Sequence, residues 1–219
     1  MTKDIDVRNW FGLKKMPFTS DISTKDIFIR ESIQTISRKI RFSVQNSFYY
    51  VVIGEVGSGK TTALRFALSQ LPPKQYEVLS IVAGNRSFSE LMRQVAGALG
   101  APTRAFQGTT ILRYIYEGYA SLRESGLAPV LFIDEAHLLP REALCQLHLL
   151  SQQNPNDTKV TPIVLCGQES LFDMLRYPSC KPIMSRVLDG FNLRSMSNEE
   201  CNRYIQHQIC NIAGGRDDL

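Results

Sequence analysis

The chain has 219 residues, of which 43% are hydrophobic and 21% are charged, as is ordinary for a folded globular protein. The formal net charge of +4 permits contact with nucleic acid but does not argue for it. No apolar run approaches the roughly 20 residues of a membrane span, and the N-terminus lacks a signal-peptide pattern. The five cysteines form no C-x-x-C pair. We therefore expect a cytoplasmic protein with reduced thiols.

The first 46 residues predict an arm followed by a helix. Residues 1–30 mix polar residues with aromatic ones, and such aromatic side chains are expected to pack over a core. A helix is predicted over Glu31–Gln45 because apolar residues recur there at helical spacing. These residues are Ile33, Ile36, Ile40 and Val44.

A phosphate-binding loop is predicted directly after the first strand. Phe48–Ile53 reads as a buried strand, Gly54–Thr61 fits G-x-x-x-x-G-K-[ST] without mismatch, and good helix formers follow. Glycines let successive N–H groups face a phosphate, Lys60 can reach the β- and γ-phosphates, and the Thr61 hydroxyl can bind Mg²⁺. The alternative is a glycine-rich turn before a helix. The predicted nucleotide-binding residues here are Gly54, Glu55, Val56, Gly57, Ser58, Gly59, Lys60, Thr61 and Thr62.

The next stretch predicts one strand and two helices. Tyr76–Val82 reads as a strand, and Ser87 with Glu90 forms a capping box for the following helix. A second helix is predicted over about residues 109–123, which is more than a minimal crossover between parallel strands needs.

An acidic pair follows the next apolar strand. Val130–Ile133 predicts a fully buried strand, and Asp134 and Glu135 stand at its carboxyl end, where ligands bind in open parallel sheets. Asp134 is predicted to hold Mg²⁺ and Glu135 to polarise the attacking water. His137 is interpreted as a solvated or capping residue rather than a ligand. His148 and His207 are interpreted as structural, and no His/Cys set has zinc spacing.

Two further polar residues follow later elements. A helix is predicted from about Arg141 to Gln152, and Gln168 follows the strand Ile163–Cys166. Gln168 can either sense the γ-phosphate or cap the next helix. Arg186 precedes a last strand, and it can act as an arginine finger in a neighbouring subunit or form a surface salt bridge.

The chain then ends in one more predicted helix. Ser197 and Glu200 form a capping box for it, and its apolar residues run to Ile212. Apolar strands alternating with helices predict a parallel α/β sandwich.

Four segments together resemble the ExeA/GspA-type branch of the AAA+ ATPases: IGEVGSGKTT, VLFIDEAHLL, IVLCGQESL and MSRVLDGFNLRSMSNEECNRYIQHQICNIAGG. That branch is similar to the transposition ATPases of the TniB, TnsC, IstB and MuB group. The resemblance implies an α/β P-loop NTPase with a three-layer αβα sandwich and a parallel sheet. It also implies a Walker A lysine at Lys60, a Walker B pair at Asp134 and Glu135, a sensor 1 at Gln168 and an arginine finger at Arg186.

The same resemblance predicts the domain division. It comprises an arm and helix over 1–46, an AAA+ core over 47–195, and the start of a helical lid over 196–219. A sensor 2 residue is expected on a later lid helix, so we expect the chain to be part of a longer protein.

The predicted activity is hydrolysis of ATP with Mg²⁺ by a homo-oligomer in the cytoplasm. The predicted role is a DNA-binding helper of a transposase. One alternative is the ATPase domain of a general secretion pathway protein A with a membrane partner, and another is a slow nucleotide-dependent switch. The expected DNA contacts are Arg86, Arg93, Arg104, Arg113 and Lys159.

Overall fold

The computed structural model describes residue 8 and residues 12–19, 22–101, 108–151 and 160–214. The chain forms two compact units: one is Ser32–Arg194, and the other combines Met1–Glu31 with Ser195–Leu219. The domain division expected from the sequence stays a prediction. No helix in the described ranges is both long and apolar enough to cross a membrane.

The larger unit contains a five-stranded sheet whose neighbouring strands are all parallel. The strand order is β2-β3-β4-β1-β5. The strands are β1 (Tyr49–Ile53), β2 (Tyr76–Val82), β3 (Ala128–Asp134), β4 (Ile163–Gly167) and β5 (Val187–Asn192).

Helices flank this sheet, as predicted for an α/β sandwich. Their bounds are α1 (Glu31–Gln45), α2 (Lys60–Ser69), α3 (Phe88–Ala98), α4 (Gly108–Glu124), α5 (Arg141–Gln146), α6 (Glu169–Leu175) and α7 (Lys181–Met184). The two predicted helices between β2 and β3 are confirmed as α3 and α4. Because β1, β3 and β4 are covered on both faces, their sequences are continuous apolar runs rather than alternating ones.

The topology decides where a ligand can bind. After β1 the chain crosses to β2 and returns through β3 and β4, so that β4 pairs with β1. The carboxyl ends of β3, β4 and β1 are therefore next to one another at one edge of the sheet. Three loops with polar residues meet there, namely those after Ile53, Asp134 and Gly167.

Local capping signals are confirmed, and one helix end differs from the prediction. The Ser87 hydroxyl accepts from the Glu90 N–H while the Glu90 carboxylate accepts from the Ser87 N–H. The helix expected to run past residue 150 instead becomes a 3₁₀ turn over Leu147–Leu150. There the Ser151 hydroxyl donates to the His148 carbonyl, and this side chain competes with the backbone for that acceptor.

The smaller unit joins the N-terminal arm to the C-terminal helices. α8 (Asn198–Gln206), which carries the predicted capping box, continues as a π-helix over His207–Ile212. The rings of Phe18 and Phe28 contact Tyr204, and His207 Nε2 lies 2.9 Å from the Asp26 carbonyl oxygen. The predicted packing of arm aromatics is seen for Phe28, which is half-buried, whereas Phe18 is 50% exposed, and Trp10 and Phe11 lie outside the described residues.

The expectation that all thiols are reduced is wrong for two of them. Cys145 and Cys180 form a disulfide, whereas the thiols of Cys166 and Cys201 are free. The end of α5 packs against the 3₁₀ turn Pro178–Cys180, which brings the two Cα atoms to 4.5 Å. Two cysteines separated by 35 positions carry no sequence signal for this pairing.

Candidate functional site

The loop after β1 has a backbone that only glycine tolerates at several positions. Gly57 and Gly59 have φ angles of +80° and +87°, a region that side chains with a Cβ rarely adopt. A Cβ at Gly54 would lie 2.4 Å from the Leu193 carbonyl oxygen and 2.9 Å from Ser58 Oγ. The glycines of the motif therefore shape the loop for two separate reasons, conformation and close approach.

The N-terminus of α2 points its free N–H groups into this loop. The helix starts at Lys60, and its N-cap is Gly59, which offers no side chain to cap those groups. The first N–H groups of a helix have no partner within it, and the helix dipole adds partial positive charge at that end. This arrangement suits a phosphate.

Lys60 is buried against the loop. The residue is 8% exposed. Its ammonium donates to the carbonyl oxygens of Gly54 at 2.9 Å and Glu55 at 2.6 Å. These two bonds hold the amine at the loop, and an ammonium has three donors. One N–H of Lys60 is therefore available for a phosphate oxygen.

Thr61 and Asp134 are in direct contact. The Thr61 hydroxyl donates to Asp134 Oδ2 at 3.0 Å, and the Glu135 N–H donates to Asp134 Oδ1 at 2.8 Å. The Cys166 thiol on β4 lies near the Asp134 carboxylate. Burial, and then the negative charge of Asp134, raise the pKa of this thiol, so it remains protonated. A hydroxyl and a carboxylate in contact are the oxygen ligands that Mg²⁺ prefers.

Glu135 has an unusual backbone conformation for a residue with a side chain. Its φ and ψ are 53° and 32°, the left-handed region, which costs on the order of 1–3 kcal/mol and occurs often at functional sites. This conformation ends β3 and begins the 3₁₀ turn Ala136–Leu138. The carboxylate is 40% exposed, and its Oε2 lies 3.3 Å from His137 Nδ1.

The loop, α2 and the ends of β3 and β4 enclose a cavity of about 230 Å³. This is smaller than the roughly 300–1,000 Å³ of a pocket for a whole drug-sized ligand, so it accommodates part of a nucleotide. The lining residues are Val56, Gly57, Gly59, Lys60, Thr61, Thr62, Glu135 and Gln168. The fold thus brings residues from three predicted motifs to one cavity.

Gln168 lies at the N-cap position of α6. Its side chain makes no capping hydrogen bond and lines the cavity instead. The Gln168 side chain therefore does not cap the helix, and its role in sensing the γ-phosphate stays a prediction.

Arg186 lies at the opposite edge of the sheet from this cavity. It precedes β5, and its carbonyl accepts from the Tyr49 N–H at the amino end of β1. Its guanidinium donates to the Pro182 carbonyl. Within the described part of the chain it makes no ion pair with an acidic side chain, so the salt-bridge alternative is not observed. The structure does not bring Arg186 to its own chain's cavity.

Two residues that lie beside the acidic pair Asp134 and Glu135 were not identified from the sequence. Cys166 was placed in an apolar strand and given no role at the site. His137 was expected to be solvated or to cap a helix, but its side chain is 9% exposed and adjoins Glu135. The adjacency of His137 in D-E-A-H was the one available signal. Of the expected DNA contacts, Arg86, Arg93 and Arg113 are exposed, whereas Arg104 and Lys159 lie outside the described residues.

This fold and loop define a P-loop nucleoside triphosphatase of the α/β class. A protein-family model described as an AAA domain matches residues 45–175. The match covers more than half of the chain, which therefore belongs to the AAA family.

Similar proteins agree with that assignment. The chain is 28% identical over 208 residues to general secretion pathway protein A of Aeromonas hydrophila, covering 94% of this chain and 38% of that protein. It thus spans well under half the length of this relative. The fold is similar to the Cdc6p crystal structure from Pyrobaculum aerophilum, with a TM-score of 0.65, 14% identity, and coverage of 85% and 53% of the two chains. It is also similar to the ORC2 protein of Aeropyrum pernix, with a TM-score of 0.67, 14% identity, and coverage of 94% and 56%.

Proposed function

We propose that this chain binds ATP with Mg²⁺ at the cavity after β1 and hydrolyses it to ADP and phosphate. The contact between Thr61 Oγ1 and Asp134 Oδ2 is the main support, because it joins the two predicted metal ligands beside the loop. Membership of the AAA family supports the same activity.

Each residue then has a distinct role. The N–H groups at the start of α2 and the Lys60 ammonium bind the β- and γ-phosphates. Thr61 and Asp134 hold Mg²⁺, which neutralises charge on the phosphates when bound. Glu135 accepts a proton from the water whose oxygen attacks the γ-phosphorus, as the bond from that phosphorus to the bridging oxygen breaks.

Two residues outside this set complete the proposal. Gln168, which lines the cavity, senses the γ-phosphate or orients the water. Arg186 reaches the nucleotide of a second copy, since it lies at the other edge of its own sheet. The active form is accordingly a homo-oligomer.

For the biological role we favour a secretion pathway with a membrane partner. The similarity to general secretion pathway protein A extends over 94% of this chain, although the chain spans only 38% of that protein. The helper role in DNA transposition is the second candidate, for which the exposed arginines Arg86, Arg93 and Arg113 are the structural support. A cytoplasmic location stays a prediction, and the disulfide is uncommon in that reducing compartment.

The activity is tested by Glu135→Gln. We expect ATP–Mg²⁺ binding to persist and kcat to fall by roughly 10²–10⁴-fold, the usual contribution of a general base. ATP binding is measured by calorimetry and turnover by phosphate release. Glu142→Gln is the matched control, because that glutamate is 74% exposed at its side chain and does not line the cavity.

Two results of this test have different meanings. Unchanged turnover in Glu135→Gln would contradict the proposed role of that carboxylate. Wild-type protein that binds ATP but releases no phosphate when assembled would leave the nucleotide-dependent switch as the function.

The two biological roles are separated by duplex DNA binding with ATP and with ADP across a salt series. The transposition role predicts ATP-dependent binding whose log–log salt slope is about −0.9 per neutralised phosphate. Arg93→Ala would then reduce the slope by about one, whereas Lys74→Ala serves as an exposed control. No ATP-dependent binding at low salt would exclude the transposition role and leave the secretion role.

A further inference from the structure

The catalytic carboxylate proposed above lies close to the side chain of His137. Glu135 Oε2 lies 3.3 Å from His137 Nδ1 across the 3₁₀ turn Ala136–Leu138. The left-handed backbone at Glu135 makes this contact possible, because it turns the chain sharply at the end of β3. Glu135 is 40% exposed and lines the cavity, whereas His137 is 9% exposed behind it.

The Nδ1 atom of His137 is buried without a hydrogen-bond partner of ideal geometry among the described residues. Nδ1 is inaccessible to solvent, and Glu135 Oε2 lies 3.3 Å from it. A buried polar atom without a partner is costly, so a small adjustment that completes this bond is favourable.

β4 holds the turn from its other side. A Cβ at Gly167 would lie 3.1 Å from the His137 nitrogen and 3.3 Å from its Cβ. A side chain at this position would crowd the turn and would also lie 3.0 Å from Leu171 Cδ2, so glycine eases the approach of β4 to the turn. The residue after it, Gln168, lines the same cavity as Glu135.

We propose that His137 is a positioning residue for Glu135, an inference that rests on the proposed ATPase function. A carboxylate can only accept, so the N–H on Nδ1 donates to Oε2. This bond fixes the carboxylate and leaves its other oxygen, Oε1, to accept the proton of a water that enters the cavity. Gly167 keeps the imidazole in place by allowing β4 to pack against its backbone.

The test uses three substitutions that differ in where they carry a donor. In His137→Asn the amide nitrogen takes the position of Nδ1, in His137→Gln it lies farther out near Nε2, and His137→Leu fills the volume without a donor. We expect His137→Leu and His137→Gln each to lower kcat by roughly 10–100-fold, which is the range for the loss of a hydrogen bond to a charged group. His137→Asn should restore most of that loss. The affinity for ATP–Mg²⁺ should stay unchanged in all three.

A double substitution separates positioning from packing. In single-turnover measurements, His137→Leu should have no further effect in a Glu135→Gln background, because the carboxylate that it positions is gone. Gly167→Ala keeps the imidazole but displaces the turn that carries it, so it should lower kcat without weakening ATP binding. This variant remains informative if a substitution at His137 fails to fold, which thermal unfolding will reveal.

Each outcome bears on one proposal. Wild-type turnover in Glu135→Gln would overturn the ATPase assignment of that residue. If Glu135→Gln lowers turnover but His137→Leu and His137→Gln both turn over at the wild-type rate, only the role of His137 would be overturned. Equal losses of kcat in His137→Asn and His137→Leu would also overturn the role of His137. The same holds if His137→Leu lowers turnover equally in the wild-type and the Glu135→Gln background, because packing alone would then explain the effect.

Discussion

At the residue scale, the carboxylate of Asp134 is fixed at both oxygens before any ligand binds. It accepts from the Thr61 hydroxyl at one oxygen and from the Glu135 N–H at the other. Charge-assisted hydrogen bonds of this kind favour one side-chain orientation. Asp134 is therefore pre-organised to bind a cation together with Thr61.

Lys60 gives a prediction at this scale. Lys60→Ala removes the cation that faces the phosphates, so we expect ATP affinity to fall by at least 10-fold, the minimum for a lost hydrogen bond to a charged group. The substitution also removes two bonds to loop carbonyls, so the melting temperature should fall as well. Calorimetry with ATP–Mg²⁺ and thermal unfolding measure the two effects.

Lys74→Ala is the control for Lys60, because Lys74 is exposed and lies outside the cavity lining. A folded Lys60→Ala protein with wild-type ATP affinity would contradict the assignment of this loop.

At the element scale, the ends of three strands and one helix make the site. β1, β3 and β4 are neighbours in the sheet, and each places its polar residues immediately after its last apolar one. α2 adds its uncapped N-terminus. The site is therefore held by rigid elements rather than by long loops, which favours fixed geometry.

Gly54 gives a prediction for the junction of β1 with its loop. Gly54→Ala places a methyl group 2.4 Å from the Leu193 carbonyl oxygen, so the backbone must shift. We expect a loss of about 1–3 kcal/mol in the free energy of unfolding, together with weaker ATP binding. Chemical denaturation and calorimetry measure these changes.

Gly190→Ala is the matched control for Gly54. A Cβ there would have only one contact, at 3.6 Å to the Val51 carbonyl oxygen, which is an ordinary distance. Equal stability losses in the two alanine variants would contradict the argument from close approach.

At the scale of the whole molecule, one predicted site residue remains apart from the others. Arg186 and the cavity lie at opposite edges of the same parallel sheet. A parallel strand rises about 3.3 Å per residue, so no side-chain rearrangement within one chain joins them. A role for Arg186 in hydrolysis consequently requires a second copy.

Mixing two inactive proteins tests this role. Arg186→Ala should lower turnover by about 10³–10⁵-fold if the residue is an arginine finger. Adding Lys60→Ala protein should restore part of the activity, because its Arg186 can serve the intact cavity of an Arg186→Ala neighbour. Phosphate release under assembling conditions is the measurement.

The control for this mixture is a protein that carries both substitutions, which should restore nothing. Normal turnover by Arg186→Ala alone, under conditions in which the wild-type protein assembles, would contradict the proposed role.

The sequence by itself determined the features that depend on residues close together in the chain. The bounds of α1 and β2, the capping boxes at Ser87 and Ser197, and the phosphate loop were all predictable, because hydrophobic period, cap chemistry and glycine spacing are local signals. The order of apolar strands also predicted the parallel sheet and the edge at which Asp134 and Glu135 lie.

Only the tertiary structure decided which residues from different elements touch. The Cys145–Cys180 disulfide, the thiol of Cys166 at Asp134, and the approach of Gly167 to His137 all join positions far apart in sequence. Even the nearby pair Glu135 and His137 depended on a left-handed turn that no residue in D-E-A-H requires. Such contacts follow from how β3, β4 and the short helices pack, and packing compatible with one apolar pattern is not unique.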